Sequence, residues 1–551
     1  MKRLFSAAAI LSVSLGLLTL PPSLPQASAA TATLAITDGG AGTAAKATAQ
    51  FSPAAPGQAA KLQVKTIATS MTNEVSAAKW KTVATSTQDA GGKAVFSIAD
   101  PLEVKHEYRA VSGSGSAQAA SATVGYAAKT ATKKTGLPAV YLNTNEGKPV
   151  NTRSRYFEGR FAIKAGTGCA AVPSQLAAAK GRGNSSWTFD KKSYSVKLDK
   201  KVDLCGMGAS KKWALVANHY DKSLLRNSLA GFVGSKMTKL AWTPKSRPVD
   251  LYLNGAYRGS YLLIERIAVT DPAKKKAGDA VRIAVPELDS ESTNNTGGYV
   301  LEWDFRKGAD HNVAVGSKGY VGIKEPENDY DKAGKNTGQG ITAAQVKYID
   351  GYLDAANKAL FGKDFKSSTK GWRKYISLPS AVDYYIAMEL MKPLDGNMYA
   401  SVYMYKKPNG KLYFGPLWDF DMAAGNTDRG GKLAAADAWY LRDPLKIAAR
   451  QPKAATAATV TWFNRLNDDP GFRKAVSKRW KQVYSSLKKS DSFLTSQSAL
   501  ISKSASANFK MWNVKEKLRD YHIVKGSWSK EVSYLRSWLK SRISWMNKQY
   551  T

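Results

Sequence analysis

At 551 residues, with 43% hydrophobic content and 14 tryptophans, the chain can bury a real core and divide into more than one domain, which excludes a disordered tail or a minimal peptide scaffold. Its 81 lysines and arginines against 43 aspartates and glutamates give a formal net charge of +38. The lysines are scattered beside Ala, Ser and Gly along the whole chain instead of forming one arm or stripe, so the charge reads as a basic surface suited to an anionic cell wall, with no specific nucleic-acid interface.

Met1-Lys2-Arg3, the apolar run from Leu4 to Leu20 and the small residues Ala27-Ser28-Ala29 have the three regions of a secretory signal, so residues 1–29 are expected to be removed. The alternative is an uncleaved anchor, but Pro21, Pro22 and Pro25 end the run short of a membrane span. No later stretch is long, apolar and uncharged, so an exported or cell-surface protein with no transmembrane span after cleavage is expected. The two cysteines, Cys169 and Cys205, suit a disulfide in an oxidising compartment and are too few for a structural zinc site; two buried thiols are the alternative.

Residues 30–127 are rich in Ala, Thr, Ser, Gly and Val, with short alternating runs such as Lys61–Thr66, Trp80–Ala84 and Tyr108–Val111. Gln88–Lys93 makes a turn between two of these runs, and the whole predicts a small all-β sandwich resembling immunoglobulin-like modules. Residues 128–137 read as a linker. From 138 to 551 aromatic content rises and strand and helix patterns mix, predicting one large α+β domain.

Four motifs follow in order. Gly181-Arg182-Gly183-Asn184-Ser185 is a glycine-bearing turn running into the lysine-bearing strand Lys191–Leu198, an arrangement that brings N–H groups and ammonium charges to phosphate oxygens. Asp221–Leu229 has the spacing of the first turns of an amphipathic helix. Val249–Glu265 is a hairpin turning at Asn254-Gly255. Ser377 caps a predicted helix in which Val382, Tyr385, Ile386 and Leu390 share a face, with Pro393 at its end.

Asp395 follows that helix directly. A predicted hairpin, Ser401–Lys406, Pro408-Asn409-Gly410 and Lys411–Gly415, then separates it from Asp419 and Asp421 in Trp418-Asp419-Phe420-Asp421. An acid after a helix, a hairpin and an acid on a turn is the path by which protein kinases place a catalytic base and a metal ligand. Val532–Met546 carries apolar residues at helical spacing and is expected to pack on the domain.

The ordered set Arg182-Gly183-Asn184-Ser185-Ser186, Lys191-Lys192-Ser193-Tyr194, Ser223–Asn227, Leu253–Glu265 and Gly415–Asp421 resembles the spore coat protein H (CotH) kinase family over roughly residues 138 to 550. The resemblance implies a two-lobed, atypical protein-kinase-like domain, preceded by the immunoglobulin-like sandwich, that uses ATP with Mg²⁺ or Mn²⁺ to phosphorylate protein Ser or Thr, itself or a surface protein. It gives Asp395 the catalytic-loop position and Asp419 that of the metal-binding acid, with Asp421 as a second oxygen ligand. Lys192 or Lys197 would meet ATP phosphates; alternation puts them on opposite strand faces, so one of them does, and Lys197, deeper in the strand, is favoured. Arg182 is either a phosphate contact or a structural ion pair. Asn184 belongs to the nucleotide-facing turn, and Glu265 lies either near the adenine or is an ordinary strand-end charge.

There are departures from the kinase pattern. Asn397 comes too early to be the customary second metal ligand and Ser401 stands near its expected place, so Asn426 is the substitute; no glycine follows Phe420. A catalytically silent scaffold that binds wall polymer or protein is therefore the competing reading. Hydrolases fare worse, because His106, His219, His311 and His522 lie in no catalytic or metal spacing. Glu302 and Asp304, two apart on a predicted strand, are the one carboxylate pair suited to glycoside hydrolysis.

Overall fold

The computed structural model describes residues 30–37, 44–66, 79–98, 106–115, 118–126, 135–316, 319–327, 340–428, 433–442 and 460–551. The expected signal segment 1–29 and most of the expected linker lie outside them.

The N-terminal strands are β1 (Thr31–Thr37), β2 (Ala45–Ser52), β3 (Ala59–Thr66), β4 (Lys79–Thr87), β5 (Lys93–Ile98), β6 (His106–Ser112), β7 (Ala119–Ala120) and β8 (Val124–Tyr126). They form one sheet of order β1-β2-β5 and a second of order β4-β3-β6-β7, with β8 also on β6. Alternation along β2 and β5 turns Ala47, Ala49, Phe51 and Phe96 inward, where they share a core with Leu62, Val64, Tyr108 and Ala110 of the other sheet. The predicted turn at 88–93 carries the chain from one sheet to the other, and the Asp89 carboxylate accepts from the N–H groups of Gly91 and Lys93.

The next seven strands are β9 (Ala139–Thr144), β10 (Phe157–Lys164), β11 (Val172–Arg182), β12 (Ser193–Asp203), β13 (Ala209–Val216), β14 (Ser246–Leu253) and β15 (Ala256–Glu265). They close into a barrel of order β10-β11-β12-β13-β15-β14-β9. Every pairing is antiparallel except β9 with β14, where Val140 faces Leu251, and that parallel contact removes the last open edge. Val140, Phe161, Val196, Trp213, Leu251 and Leu263 are among the buried side chains of its core. The β14–β15 turn is the predicted one, with Asn254 and Gly255 at φ 52° and 81°, values that two-residue hairpins require. Cys169 and Cys205 form a disulfide joining the β10–β11 and β12–β13 connections.

Helix α1 (Arg226–Lys236) starts later than its sequence pattern predicts. Residues 221–225 form a tight turn with Leu224 at φ 64°, because the Asp221 carboxylate accepts from the N–H groups of Ser223 and Arg226 and folds the backbone around itself.

Strands β16 (Tyr299–Trp303), β17 (His311–Val315), β18 (Gly319–Glu325), β19 (Val402–Lys406) and β20 (Leu412–Phe414) form a sheet of order β17-β18-β16-β19-β20. Around it lie α2 (Ala343–Phe361), α3 (Leu378–Met391), α4 (Trp462–Asn467), α5 (Pro470–Lys488), α6 (Ser490–Met511) and α7 (Trp528–Tyr550). The Ser377 hydroxyl caps α3 by accepting from the Ser380 N–H. Instead of burying one face, α3 is buried on all sides from Ser380 to Met391. Its two acids are paired accordingly: Asp383 with Arg479 at 2.7 Å and Glu389 with Arg542 at 2.8 Å. Helix α6 ties this part to the barrel, since the Ser504 hydroxyl donates to Asp250 at 2.6 Å and the Asn508 side-chain oxygen accepts from the Ser260 N–H at 3.2 Å. No helix among the described residues is long and apolar enough to cross a membrane.

Candidate active site

A cleft of about 420 Å³ lies between the barrel and the α3 region. One wall is the glycine turn after β11. Gly183 stands at φ 95°, and a Cβ there would sit 2.0 Å from the Ser186 hydroxyl, so the turn needs its glycine. Arg153 fastens the turn by donating to the Gly183 carbonyl at 2.7 Å and to the Asn184 side-chain oxygen at 2.9 Å. Arg182 lines the cleft with its guanidinium 5.1 Å from the centre of the Trp418 ring. Burial and neighbouring Arg266 lower its pKa, against the pull of Tyr403, Asp419 and Glu302, and an arginine still keeps its charge.

The opposite wall carries Asp395, Asp419 and Asp421. Asp395 sits on the turn that begins at the left-handed residue Lys392, φ 47°, where α3 stops. Asp419 is also left-handed, at φ 68°, and accepts from the Ser401 hydroxyl at 3.3 Å. A non-glycine residue held there costs on the order of 1–3 kcal/mol, and such strain clusters at functional sites. Although Asp419 keeps an exposed edge in the cleft, the protein crowding it first, and the Asp395 carboxylate second, push its carboxyl above the usual range against Arg182 and Arg306. Burial, then Asp419, then Asp221 and Asp395, push Asp421 well above that range.

The acidic turn is gripped from behind by the start of α1. Asn227 accepts from the Phe420 N–H at 2.9 Å, while Arg226 donates to the carbonyls of Ala423 and Ala424 at 2.9 and 3.2 Å. Arg226 is completely buried and its charge is met by Asp221 at 2.6 Å. A second buried group holds the chain farther on: Arg542 and Lys392 donate to carbonyls between Ala435 and Ala438, Glu389 accepts from the N–H groups of Tyr440 and Leu441, and the Tyr440 hydroxyl donates to the Pro393 carbonyl. This packs residues 433–442 beneath the turn that bears Asp395.

Of the residues predicted from sequence, the cleft brings together Arg182, Asn184, Asp395, Asp419 and Asp421. The other four lie elsewhere. Lys197 is exposed on the barrel and Lys192 donates to the Trp187 carbonyl at 2.7 Å; neither lines the cleft. The lysine of this segment that does is Lys191, 2% exposed, whose ammonium donates to the carbonyls of Ala217 and Ser260. It precedes the strand, so alternation within β12 says nothing of where it points. Glu265 is buried at the end of β15 and does not line the cleft, accepting from the Lys245 N–H at 2.8 Å with Arg282 at 3.6 Å, contacts of the kind a strand-end charge makes. Asn426 is fully buried outside the cleft lining, its amide donating to the carbonyls of Asp421 and Tyr220, and its side-chain oxygen has no hydrogen-bond partner.

Among the cleft residues that the sequence did not single out are Lys180 and Arg306, besides Lys191, Lys324 and Arg153. Lys180 projects from β11 one turn of alternation before Arg182, and Arg306 follows β16. Arg306 is held bidentately by Asp304 at 2.7 to 3.0 Å. Glu302, in turn, lies 3.5 Å from Lys324. The carboxylate pair suited to glycosidase chemistry is thus spent in separate ion pairs.

Among the described residues no three His, Cys, Asp or Glu side chains converge closely enough to hold a metal by themselves. Crowding by the protein first, and nearby carboxylates second, raise Asp419 and Asp421; a divalent cation would offset that gathered negative charge, with two carboxylates from the protein and the remaining oxygens from phosphate and water, the usual division for Mg²⁺.

The CotH kinase protein family model matches residues 179–546, from within β11 to near the end of α7. No curated protein matches the chain. With two thirds of its length matched, this chain is a member of the CotH kinase family.

Proposed function

We propose that the protein is a secreted, Mg²⁺·ATP-dependent protein kinase that transfers the γ-phosphoryl group to Ser or Thr hydroxyls of a surface protein or of itself. The observation that carries this is the convergence of Asp395, Asp419, Asp421 and the Arg182-bearing glycine turn on one cleft. In this reading Asp395 takes the proton of the attacking hydroxyl, and Asp419 with Asp421 holds the cation that neutralises phosphate charge. Arg182, with Lys180 and Arg306, would face the phosphates, and the glycine turn leaves room for backbone N–H groups to approach them. Lys191 ties the end of β13 to β15 in the cleft wall through the Ala217 and Ser260 carbonyls.

The N-terminal sandwich is proposed to be immunoglobulin-like, with the basic surface resting on an anionic wall. A silent scaffold is the second reading, favoured by one observation: Asn426, the substitute second metal ligand, is buried outside the cleft lining. Calorimetric titration with Mg²⁺·ATP and labelling with γ-labelled ATP decide between them. The kinase gives metal-dependent heat and labelled protein; the scaffold gives neither.

A further inference from the structure

Helix α7 reaches the acidic turns from behind. Tyr534, Trp538 and Arg542 stand four residues apart on it, so they form one stripe along a single face. Each donates to a backbone carbonyl of the chain that follows Asp421: the Tyr534 hydroxyl to Gly425 at 2.9 Å, the Trp538 ring N–H to Ala434 at 2.5 Å, and the Arg542 guanidinium to Ala436 and Ala438 at 2.9 and 2.8 Å. Arg542 also donates to the carbonyl and the carboxylate of Glu389 in α3 at 2.7 and 2.8 Å. None of the three side chains lines the cleft.

The fit at the first contact is close. Gly425 stands at φ 76°, and a Cβ there would lie 2.6 Å from the Trp538 ring, so a glycine is what lets the helix come this near. Val532, Leu535, Leu539, Ile543 and Met546 already supply the apolar packing of α7. The three donors do something else: by taking carbonyls they fix the path of the backbone. That path leads to both acids. The Tyr440 hydroxyl, just past Ala438, donates to the Pro393 carbonyl. The Leu394 N–H, next to Asp395, donates to the Met422 carbonyl, next to Asp421, at 3.1 Å, and the Ala424 N–H makes a second bond between the same turns on the Met391 carbonyl at 2.6 Å.

We propose that α7 is a positioning clamp for the reaction: its Tyr534, Trp538 and Arg542 stripe holds the chain beyond the acidic turn so that Asp395 stays in register with Asp419 and Asp421. This rests on the kinase reading of the cleft. The three are positioning residues, which act through backbone carbonyls and touch neither nucleotide nor acceptor. Phosphoryl transfer asks the protein chiefly for alignment and charge. A catalytic group misplaced by about 1 Å can cost about a hundredfold in rate, so a helix outside the cleft can set turnover. Loosening the stripe lets the two turns part at the bond between Leu394 and Met422.

The test compares the full chain with Tyr534→Phe, which keeps the ring and gives up the donor, and Arg542→Lys, which keeps the charge facing Glu389 and gives up the forked donor set. Tyr484→Phe, which removes a hydroxyl from α5, is the control. Amide hydrogen exchange is followed by mass spectrometry without nucleotide, and transfer to dephosphorylated casein with γ-labelled ATP and Mg²⁺ where circular dichroism shows each variant folded. Both variants are expected to speed exchange in peptides spanning Leu394 by about tenfold or more, with the barrel strands unchanged. They should lower kcat by about ten- to a hundredfold with the KM for casein unchanged, and the control should match the parent. Exchange at Leu394 as slow as the parent's, exchange that speeds equally in the barrel, or unchanged turnover in the folded variants overturns the clamp. If Arg542→Lys fails to fold, Tyr534→Phe alone decides. If the parent transfers no phosphate to casein or to itself while exchange at Leu394 still depends on Tyr534, the kinase reading falls and the clamp between the two acidic turns stands.

Discussion

Arg226, the first residue of α1, donates from Nε to the carbonyl of Ala423 at 2.9 Å, so the helix start and the chain just beyond Asp419 and Asp421 form one body. With Asn227 on the Phe420 N–H, two adjacent side chains brace both sides of the acidic turn. Replacing Arg226 by Met leaves Asp221 buried and unpaired, which should cost about 3–5 kcal/mol of stability. Asn227→Ala removes the acceptor of the Phe420 N–H and the donor to the Asn218 side-chain oxygen, about 1–3 kcal/mol for each group left unsatisfied. Urea unfolding checks both values, and Mg²⁺·ATP titration of Asn227→Ala should show weakened binding if the brace positions Asp419. Unchanged nucleotide affinity would make Asn227 purely structural.

The two principal acids separate by role. Asp395→Asn should retain Mg²⁺·ATP heat while slowing transfer by about 10²–10⁴-fold, the range for loss of a general base. Asp419→Asn should lose both the metal-dependent heat and transfer. Equal heat in the two variants would remove Asp419 from the metal site.

Cation binding should depend on pH. Burial and neighbouring carboxylates raise Asp419 and Asp421 above the usual range, so each binds protons more tightly in the folded than in the unfolded protein. A group of that kind favours the fold when protonated, and this contribution is lost as pH rises through its folded pKa. Mg²⁺ competes with those protons and cancels the repulsion between the ionised groups. The expected result is a larger Mg²⁺-induced rise in Tm at pH 8 than at pH 5.5, with proton release on binding. A pH-independent shift would place the cation elsewhere.

Much of this site is visible in the sequence where it depends on local signals. Asn254-Gly255 specifies its turn through two positive φ angles, Ser377 and Pro393 bracket α3, and the hairpin between Asp395 and Asp419 follows from alternation around Pro408-Asn409-Gly410. What is not visible depends on partners distant in sequence. The parallel pairing of Val140 with Leu251 that closes the barrel joins strands more than a hundred residues apart, and nothing in either strand names the other. Lys191, Lys192 and Lys197 look alike as letters; their fates are set by where β12 begins and by which carbonyls lie near each ammonium. Arg226 reads as an ordinary helix residue until the acidic turn packs against it.

The last prediction concerns acid stability. His522 is buried, stacks on Tyr220 at 3.9 Å and accepts from the Leu518 N–H through Nδ1 at 3.3 Å, an arrangement that requires the neutral ring. Burial first, and the Lys222 and Arg226 charges next, lower its pKa from 6.5 to about 3. The unfolded chain therefore takes up this proton at a higher pH than the folded one, so the stability it represents is present above pH 6.5 and is lost as pH falls from 6.5 toward 3. Each such group contributes a slope of at most about 1.4 kcal/mol per pH unit. His219, lowered to about 3 mainly by burial and then by the same Lys222, adds a second. His522→Phe keeps the stack on Tyr220 and gives up the acceptor for Leu518, so it should lower stability at pH 7.5 yet flatten the decline between pH 6.5 and 4.5 relative to the parent. Urea midpoints at four pH values measure this, and a decline as steep as the parent's would show that His522 is not the group taking up the proton.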